Sequence, residues 1–348
     1  MTRLLLQLIL LASLVIFLKG LAANYYPDFT SYYYAPVAVA NGRNPYLGGP
    51  NFFTPFVYPP PVIRLFQPWT LLPFNLAQKL FAVFSAGCFF LALGLILKIS
   101  RVPPRSNQGL IWFILALNFF PAKFTLGMGQ INHLVLLLLT LFIYFYQTKQ
   151  NWLAGLALAA SLSLKLFPPL LLVWLAWRRR GKILLACLAG LIFFWLKPPW
   201  LAYWWTTVLP SLADFNRADY YNQALSGLLS RSGWSGLYLP VALGLILSAG
   251  PNWMSWLTLS VIINPFAWQH HLVWLLLPLG LTWQHLPRRW RWLWWLSYLL
   301  LAVNLKQPEL WPVLVRSHAV FGALLLLLVS RLGLEPRTKS LRGICSTS

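Results

Sequence analysis

The sequence predicts an all-α polytopic membrane protein, and three observations carry that prediction. Hydrophobic residues make up 59% of the 348 and charged residues 9%, and the mean hydropathy is +0.66, a balance that no water-soluble core sustains. Apolar runs recur at about 4–22, 76–98, 109–122, 130–147, 151–177, 182–198, 236–249, 253–264, 271–284, 292–304 and 317–331, set against the ~20 residues a spanning helix needs. The Lys and Arg residues lie between those runs and alternate in density from loop to loop. The net charge of +22 is therefore spread over membrane flanks, whereas a nucleic-acid surface would gather it on one face, so nucleic acid is excluded as a partner and membrane lipids are expected.

The first run reads as an uncleaved anchor. A signal peptide is the alternative, given Arg3 and the small pair Ala22-Ala23, but Lys19 interrupts the approach to a cleavage site. Placing the N-terminus inside puts Arg3, Lys98, Arg101, Arg105, Lys149, Arg178-Arg179-Arg180, Lys182, Arg288, Arg289, Arg291, Arg331 and the C-terminal basic residues on the cytoplasmic side, as the positive-inside rule favours. That orientation requires 151–177 to enter and leave on one side, as two short helices. The break is expected at Lys165-Leu-Phe-Pro168-Pro169, where the prolines remove backbone donors. With this pair counted as two, about twelve membrane segments are expected and both ends lie inside. Residues 1–334 are read as one integral membrane domain and 335–348 as a basic cytoplasmic tail. Cys88 and Cys187 fall in apolar runs and Cys345 in the tail, and no metal-ligand spacing is present, so neither a metal nor a cofactor is expected.

Four outward segments hold nearly all the non-basic polar character, which argues for work done on one face. The first contains Asp28, one of only five acidic residues, just past the first run and flanked by tyrosines. A carboxylate at that place is a functional-site candidate and, facing outward, a candidate base. A short amphipathic helix is expected after it, ending at Asn41-Gly42. Tyr58 precedes a run of three prolines, and its ring suits either an interfacial belt or sugar stacking. The second segment, 121–133, offers Lys123, Gln130 and Asn132 as donors to a phosphate or sugar, with helix capping as the plainer role for the two amides. In the third, Asp214 and Asp219 stand near Arg217, which points to a surface ion pair. The fourth places His270 and His271 between tryptophans, where an imidazole can donate to a phosphate oxygen or sit satisfied at the interface.

Together these segments resemble glycosyltransferase family 87, a family of GT-C-type membrane enzymes typified by polyprenol-phosphate-mannose-dependent α-mannosyltransferases. The resemblance runs in order through Asp28, Gly42-x-Asn44-Pro45-Tyr46, Tyr58-Pro59-Pro60, Gly129-Gln130-x-Asn132, Lys165-x-x-Pro168, Asn222-Gln223-x-Leu225-Ser226-Gly227 with Arg231, and Asn264-Pro265-x-x-Trp268-x-His270-His271. It departs at Asn264, where a serine is expected, and at Phe266, where a small or β-branched residue is expected. The resemblance implies a GT-C fold in the plasma membrane. It also implies transfer of a hexose, mannose first, from a polyprenyl-phosphate donor to a lipid or glycan hydroxyl on the outer face. Asp28 takes the position of the base; Tyr58, Lys123, Gln130, Asn132, Lys165, Asn222, Gln223, Arg231, His270 and His271 are the implied substrate-binding set. The chemistry is consistent with this without the family, since a sugar on lipid phosphate carries its own leaving group and inversion needs one base and cations at the phosphate. A lipid-linked sugar flippase or transporter is the alternative activity, and a lipid-binding scaffold a third.

Overall fold

A computed structural model describes residues 3–166, 168–212 and 217–332; the expected C-terminal tail and Asp214 lie outside the described residues. Among the described residues 74% are helical and none lies in a strand, with one isolated β-bridge. The first run forms α1 (Arg3–Leu18), which tightens into a 3-10 turn to Ala22. Then comes α2 (Pro27–Ala40), ended by Asn41 and the positive-φ Gly42 as expected. Far from being amphipathic along its length, α2 is buried over most of its residues. A long α3 (Phe74–Ile99) follows. The Arg3–Ala22 and Phe74–Ile99 segments are long and apolar enough to cross a bilayer.

The expected loop at 121–133 is mostly helix. α4 (Asn107–Asn118) and α5 (Phe120–Met128) form a broken pair bent by 51°, with the break at the extended Phe119 just before Pro121. Gly129 then adopts φ +70° and ends α5; a Cβ there would come within 2.8 Å of Tyr26 Cβ, so the turn into α6 (Asn132–Gln147) can approach α2 closely only as glycine.

The 151–177 run divides as expected, into α7 (Asn151–Leu164) and α8 (Leu170–Trp177), with Lys165 extended between them. α9 (Gly181–Phe194) lies against α7 at small residues: a Cβ on Gly155 would meet Ile183 O at 2.5 Å and Ala186 Cβ at 2.5 Å. Such close backbones are how apolar helices associate where lipid removes the hydrophobic drive. Beyond it lie α10 (Leu225–Arg231), α11 (Tyr238–Leu247), α12 (Trp253–Ile262), a 3-10 segment over Gln269–Leu275, α13 (Leu276–His285), α14 (Arg291–Ala302) and α15 (His318–Leu332). Several of these apolar helices are shorter than a bilayer is thick, so the structure combines two or three long candidate spans with a set of short apolar helices.

Candidate active site

Asp28 occupies the first turn of α2, directly after Pro27, where a fixed φ starts the helix and its dipole favours an anion. One turn on, Tyr32 points the same way. The segment that follows α2 folds back over it: Phe53 N donates to Thr30 Oγ1 at 2.9 Å, Ser31 Oγ to Thr54 O at 2.6 Å, and Trp204 Nε1 to Val57 O at 3.2 Å. This brings Tyr58 against Tyr32, ring centroids 4.6 Å apart.

Gln130, delivered by the Gly129 turn, joins these parts. Its Nε2 donates to Asp28 Oδ2 at 2.6 Å and to Tyr58 OH at 2.8 Å. Its Oε1 accepts from Tyr32 OH at 2.7 Å and from Lys165 Nζ at 3.1 Å. An amide has two hydrogens and two lone pairs, so Gln130 is saturated by protein. Expected to cap a helix or hold substrate, it lines the cavity with its bonds made to Asp28, Tyr58, Tyr32 and Lys165.

Lys165 is buried at the α7–α8 break, its Nζ 2.8 Å from His271 Nε2 and 5.1 Å from the Tyr58 ring centroid. His270 and His271 stand with ring centroids 4.3 Å apart, and His270 Nδ1 is buried with no partner among the described residues. Burial holds both imidazoles well below their ordinary range, so they are neutral at physiological pH, and Lys165 adds to this only when its amine is protonated. The Asp28 carboxyl is pushed up to about 6 by burial, opposed by the Gln130 hydrogen bond and by Lys165 when that amine is protonated.

These groups stand together on the wall of a cavity of about 600 Å³. Beyond them its wall turns apolar, with Phe53, Val57, Phe124, Met128, Leu166 and Trp204. Asp28, Tyr58, Gln130, Lys165, His270 and His271 all line it.

The remaining expected residues are elsewhere. Lys123, half-buried on α5, is not on the cavity wall. Asn132 stands behind it: its Nδ2 donates to His270 O at 3.3 Å, beside the Thr125 hydroxyl at 3.1 Å. Asn222 spans Pro265 O and Ala224 N, and Gln223 spans the carbonyls of Tyr220 and Arg316 and the amide of Ala319. Arg231 donates to Asp219 O, Asn222 O and Ser317 Oγ. Backbone bonds from Gln223 N to Ala267 O and from Gln269 N to Tyr221 O pin the same stretch to the histidine segment. The amides and Arg231 therefore hold the loop that carries His270 and His271. Asp219, expected in an ion pair, accepts from Tyr221 N at 2.7 Å.

Sequence reasoning gave no site role to Tyr32, Phe124 or Tyr221, and Trp268 entered only as part of the family motif. Tyr32 had a signal in its spacing of four from Asp28. Tyr221 and Trp268, with ring planes 11° apart, come together only through the bridge at Asn222.

A helical membrane protein with a cavity lined by a cluster of ionisable groups and by apolar side chains is the class these features define. The chain belongs to glycosyltransferase family 87, which matches residues 56–263. It is 30% identical over 207 residues to an alpha-(1->3)-arabinofuranosyltransferase of Corynebacterium glutamicum, a stretch covering 58% of this chain and 49% of that one. It is 25% identical over 307 residues to a polyprenol-phosphate-mannose-dependent alpha-(1-2)-phosphatidylinositol pentamannoside mannosyltransferase of Mycobacterium tuberculosis, covering 76% and 68%. A phosphatidylinositol mannoside mannosyltransferase of the same species, also polyprenol-phosphate-mannose-dependent, is 26% identical over 294 residues, covering 72% and 68%. The chain thus spans about half the length of the first of these relatives and about two thirds of the other two. Asp28 and the histidine pair lie on either side of the stretch the family matches.

Proposed function

We propose that this protein transfers a glycosyl group from a polyprenyl-phosphate donor to an acceptor hydroxyl, with Asp28 as general base. The observation that carries the reading is the placement of Asp28: a carboxylate with one side-chain donor among the described residues, Gln130, on the wall of a cavity that is otherwise lined largely by apolar side chains. Its spare lone pairs can accept the proton of an entering hydroxyl. Lys165, His271 and the unpartnered His270 Nδ1 supply donors for a phosphate a short way off, and the apolar wall suits an isoprenoid chain.

In the step proposed, the acceptor oxygen attacks the anomeric carbon as its proton passes to Asp28. The bond from that carbon to the phosphate oxygen breaks on the opposite face, and the phosphate leaves with the lipid, inverting the centre. Mannose is the donor sugar we favour, after the two mannosyltransferase relatives. Arabinofuranose is the second, after the arabinofuranosyltransferase. A lipid such as a phosphatidylinositol mannoside is the acceptor to try first. We further infer that the short helices complete a GT-C-type array of about twelve membrane segments in the plasma membrane, with the cavity opening outward under the positive-inside rule.

The reading is tested by transfer from radiolabelled polyprenyl-phosphate mannose in membranes bearing wild type or Asp28→Asn. Label moving to a lipid or glycan with wild type, and at least ~100-fold more slowly with the variant, is the expected outcome. Equal labelling would remove Asp28 from the chemistry. Donor crossing the bilayer with no new glycosidic bond would replace transfer by transport.

A further inference from the structure

We propose that Lys165 is a neutral amine in the empty cavity and takes up one proton from solvent when the donor's phosphate binds, so that donor binding is proton-linked. The proposal rests on the donor reading above and on a count of hydrogens. Trp268 N, shared with Phe266 O at 3.2 Å, donates to His271 Nδ1 at the shorter 2.9 Å, and a backbone amide N–H has no lone pair with which to accept a hydrogen from Nδ1. With that lone pair occupied, the one proton of a neutral imidazole sits on Nε2. Nε2 is 2.8 Å from Lys165 Nζ. An ammonium has three hydrogens and no lone pair, so it would oppose N–H to N–H; a neutral amine accepts the Nε2 proton and still donates to Gln130 Oε1 at 3.1 Å. An imidazolium fails as well, because it would place a second hydrogen on Nδ1, against the Trp268 N–H.

The surroundings agree. Lys165 is 4% exposed, and the titratable groups facing it are Asp28 from α2, Tyr58 from the covering segment, and His270 and His271 from the 3-10 segment. Closed off from water, the amine lacks the solvation that favours its charged form, and among the described residues Asp28, reached through Gln130, is the acid that faces it. A phosphate anion entering beside Nζ reverses the balance. Lys165 gains a proton, parts from Nε2, and both groups turn their hydrogens to the phosphate oxygens. The new cation also strengthens Asp28 as an ionised base, so donor arrival prepares the carboxylate for the acceptor.

The probe is geranyl methyl phosphodiester, a permanent monoanion that does not itself titrate near neutrality. It is titrated calorimetrically into the full chain in detergent at about pH 8, in buffers of low and high ionisation enthalpy. Asp28→Asn is the deciding background, since it removes the carboxylate that could pass its proton inward. Uptake of about one proton per bound diester is expected there, with Kd weakening about tenfold for each pH unit above that. Lys165→Arg, which stays charged, should bind the diester with no uptake; its thermal melting confirms that it is folded. Binding without uptake in Asp28→Asn overturns the proposal and leaves the donor reading standing, and uptake that survives in Lys165→Arg assigns the proton to a histidine and also overturns it. No binding in wild type overturns the donor reading and this proposal together.

Discussion

Two polar clusters sit side by side in this protein and are bonded in opposite ways. Around Asp28, an acid, an amide, an amine and two imidazoles point into the cavity and bond mainly to one another. Around Asn222, two amides and an arginine turn away from it and bond mainly to backbone carbonyls. Side chains spent on backbone atoms set the shape of a loop, whereas side chains that bond to each other across elements leave capacity that a ligand can compete for. Variants in the two clusters should therefore divide, one set losing catalysis and the other losing stability.

The largest effect is expected from the charge on Asp28. With its carboxyl pushed up to about 6, the basic form is lost as pH falls through that value, so kcat/KM for transfer should show an acid limb near pH 6, well above an ordinary aspartate. The linkage sign runs the other way for folding. A carboxyl raised in the folded state contributes stability that is full below its unfolded value and is lost as pH rises through about 6, where ionised Asp28 costs on the order of 3 kcal/mol. Asp28→Asn should accordingly abolish transfer while melting no lower than wild type at pH 7.5. A variant that melts well below wild type would make Asp28 a structural residue and erase the contrast between the clusters.

Gln130→Met comes next. It keeps the bulk and removes bonds to Asp28, Tyr58, Tyr32 and Lys165. The Gln130 bond favours ionised Asp28, so its loss should lower kcat by about 10- to 100-fold and move the acid limb above pH 6. A fall in rate with the limb unmoved would show Gln130 to be packing only.

The opposite cluster should give the opposite pattern. Asn222→Ala leaves Ala224 N without its side-chain partner and Pro265 O with Ser226 Oγ alone, a cost of about 1–3 kcal/mol. Thermal unfolding in detergent should show it as a lowered Tm, with donor KM raised more than kcat is reduced, because the histidine loop loosens. Unchanged melting with transfer abolished would make Asn222 a ligand contact and merge the two clusters.

How far the sequence could be read follows the same division. Hydropathy located the helices because lipid and core select the same residue types, and the prolines at 168 and 169 marked the α7–α8 break. It misjudged 120–128, where Pro121 and Gly127 suggest a loop but the backbone bends 51° and continues as helix. Asp28 stood out because acids are so few, and the structure puts it on the cavity wall. The Asn222, Gln223 and Arg231 roles were not, since an amide aimed at a backbone carbonyl and one aimed at a ligand are the same letter. The saturation of Gln130 emerges only when residues 28, 32, 58, 130 and 165 meet.

Lys123 provides the smallest effect and the cleanest control. By residue type it is as good a phosphate donor as Lys165, and the sequence offered both. Lys165 lies in an unwound break with its Nζ among Gln130, His271 and the Tyr58 ring, while Lys123 sits half-buried on α5 off the cavity wall. Lys165→Met removes a buried cation from the phosphate end and should cut transfer by at least ~100-fold. Lys123→Met should leave both Tm and transfer within about twofold of wild type, as a change away from buried networks does. Comparable losses in the two variants would mean that a phosphate passes over α5 as well, and that the polar part of the site extends beyond the cavity that Asp28 lines.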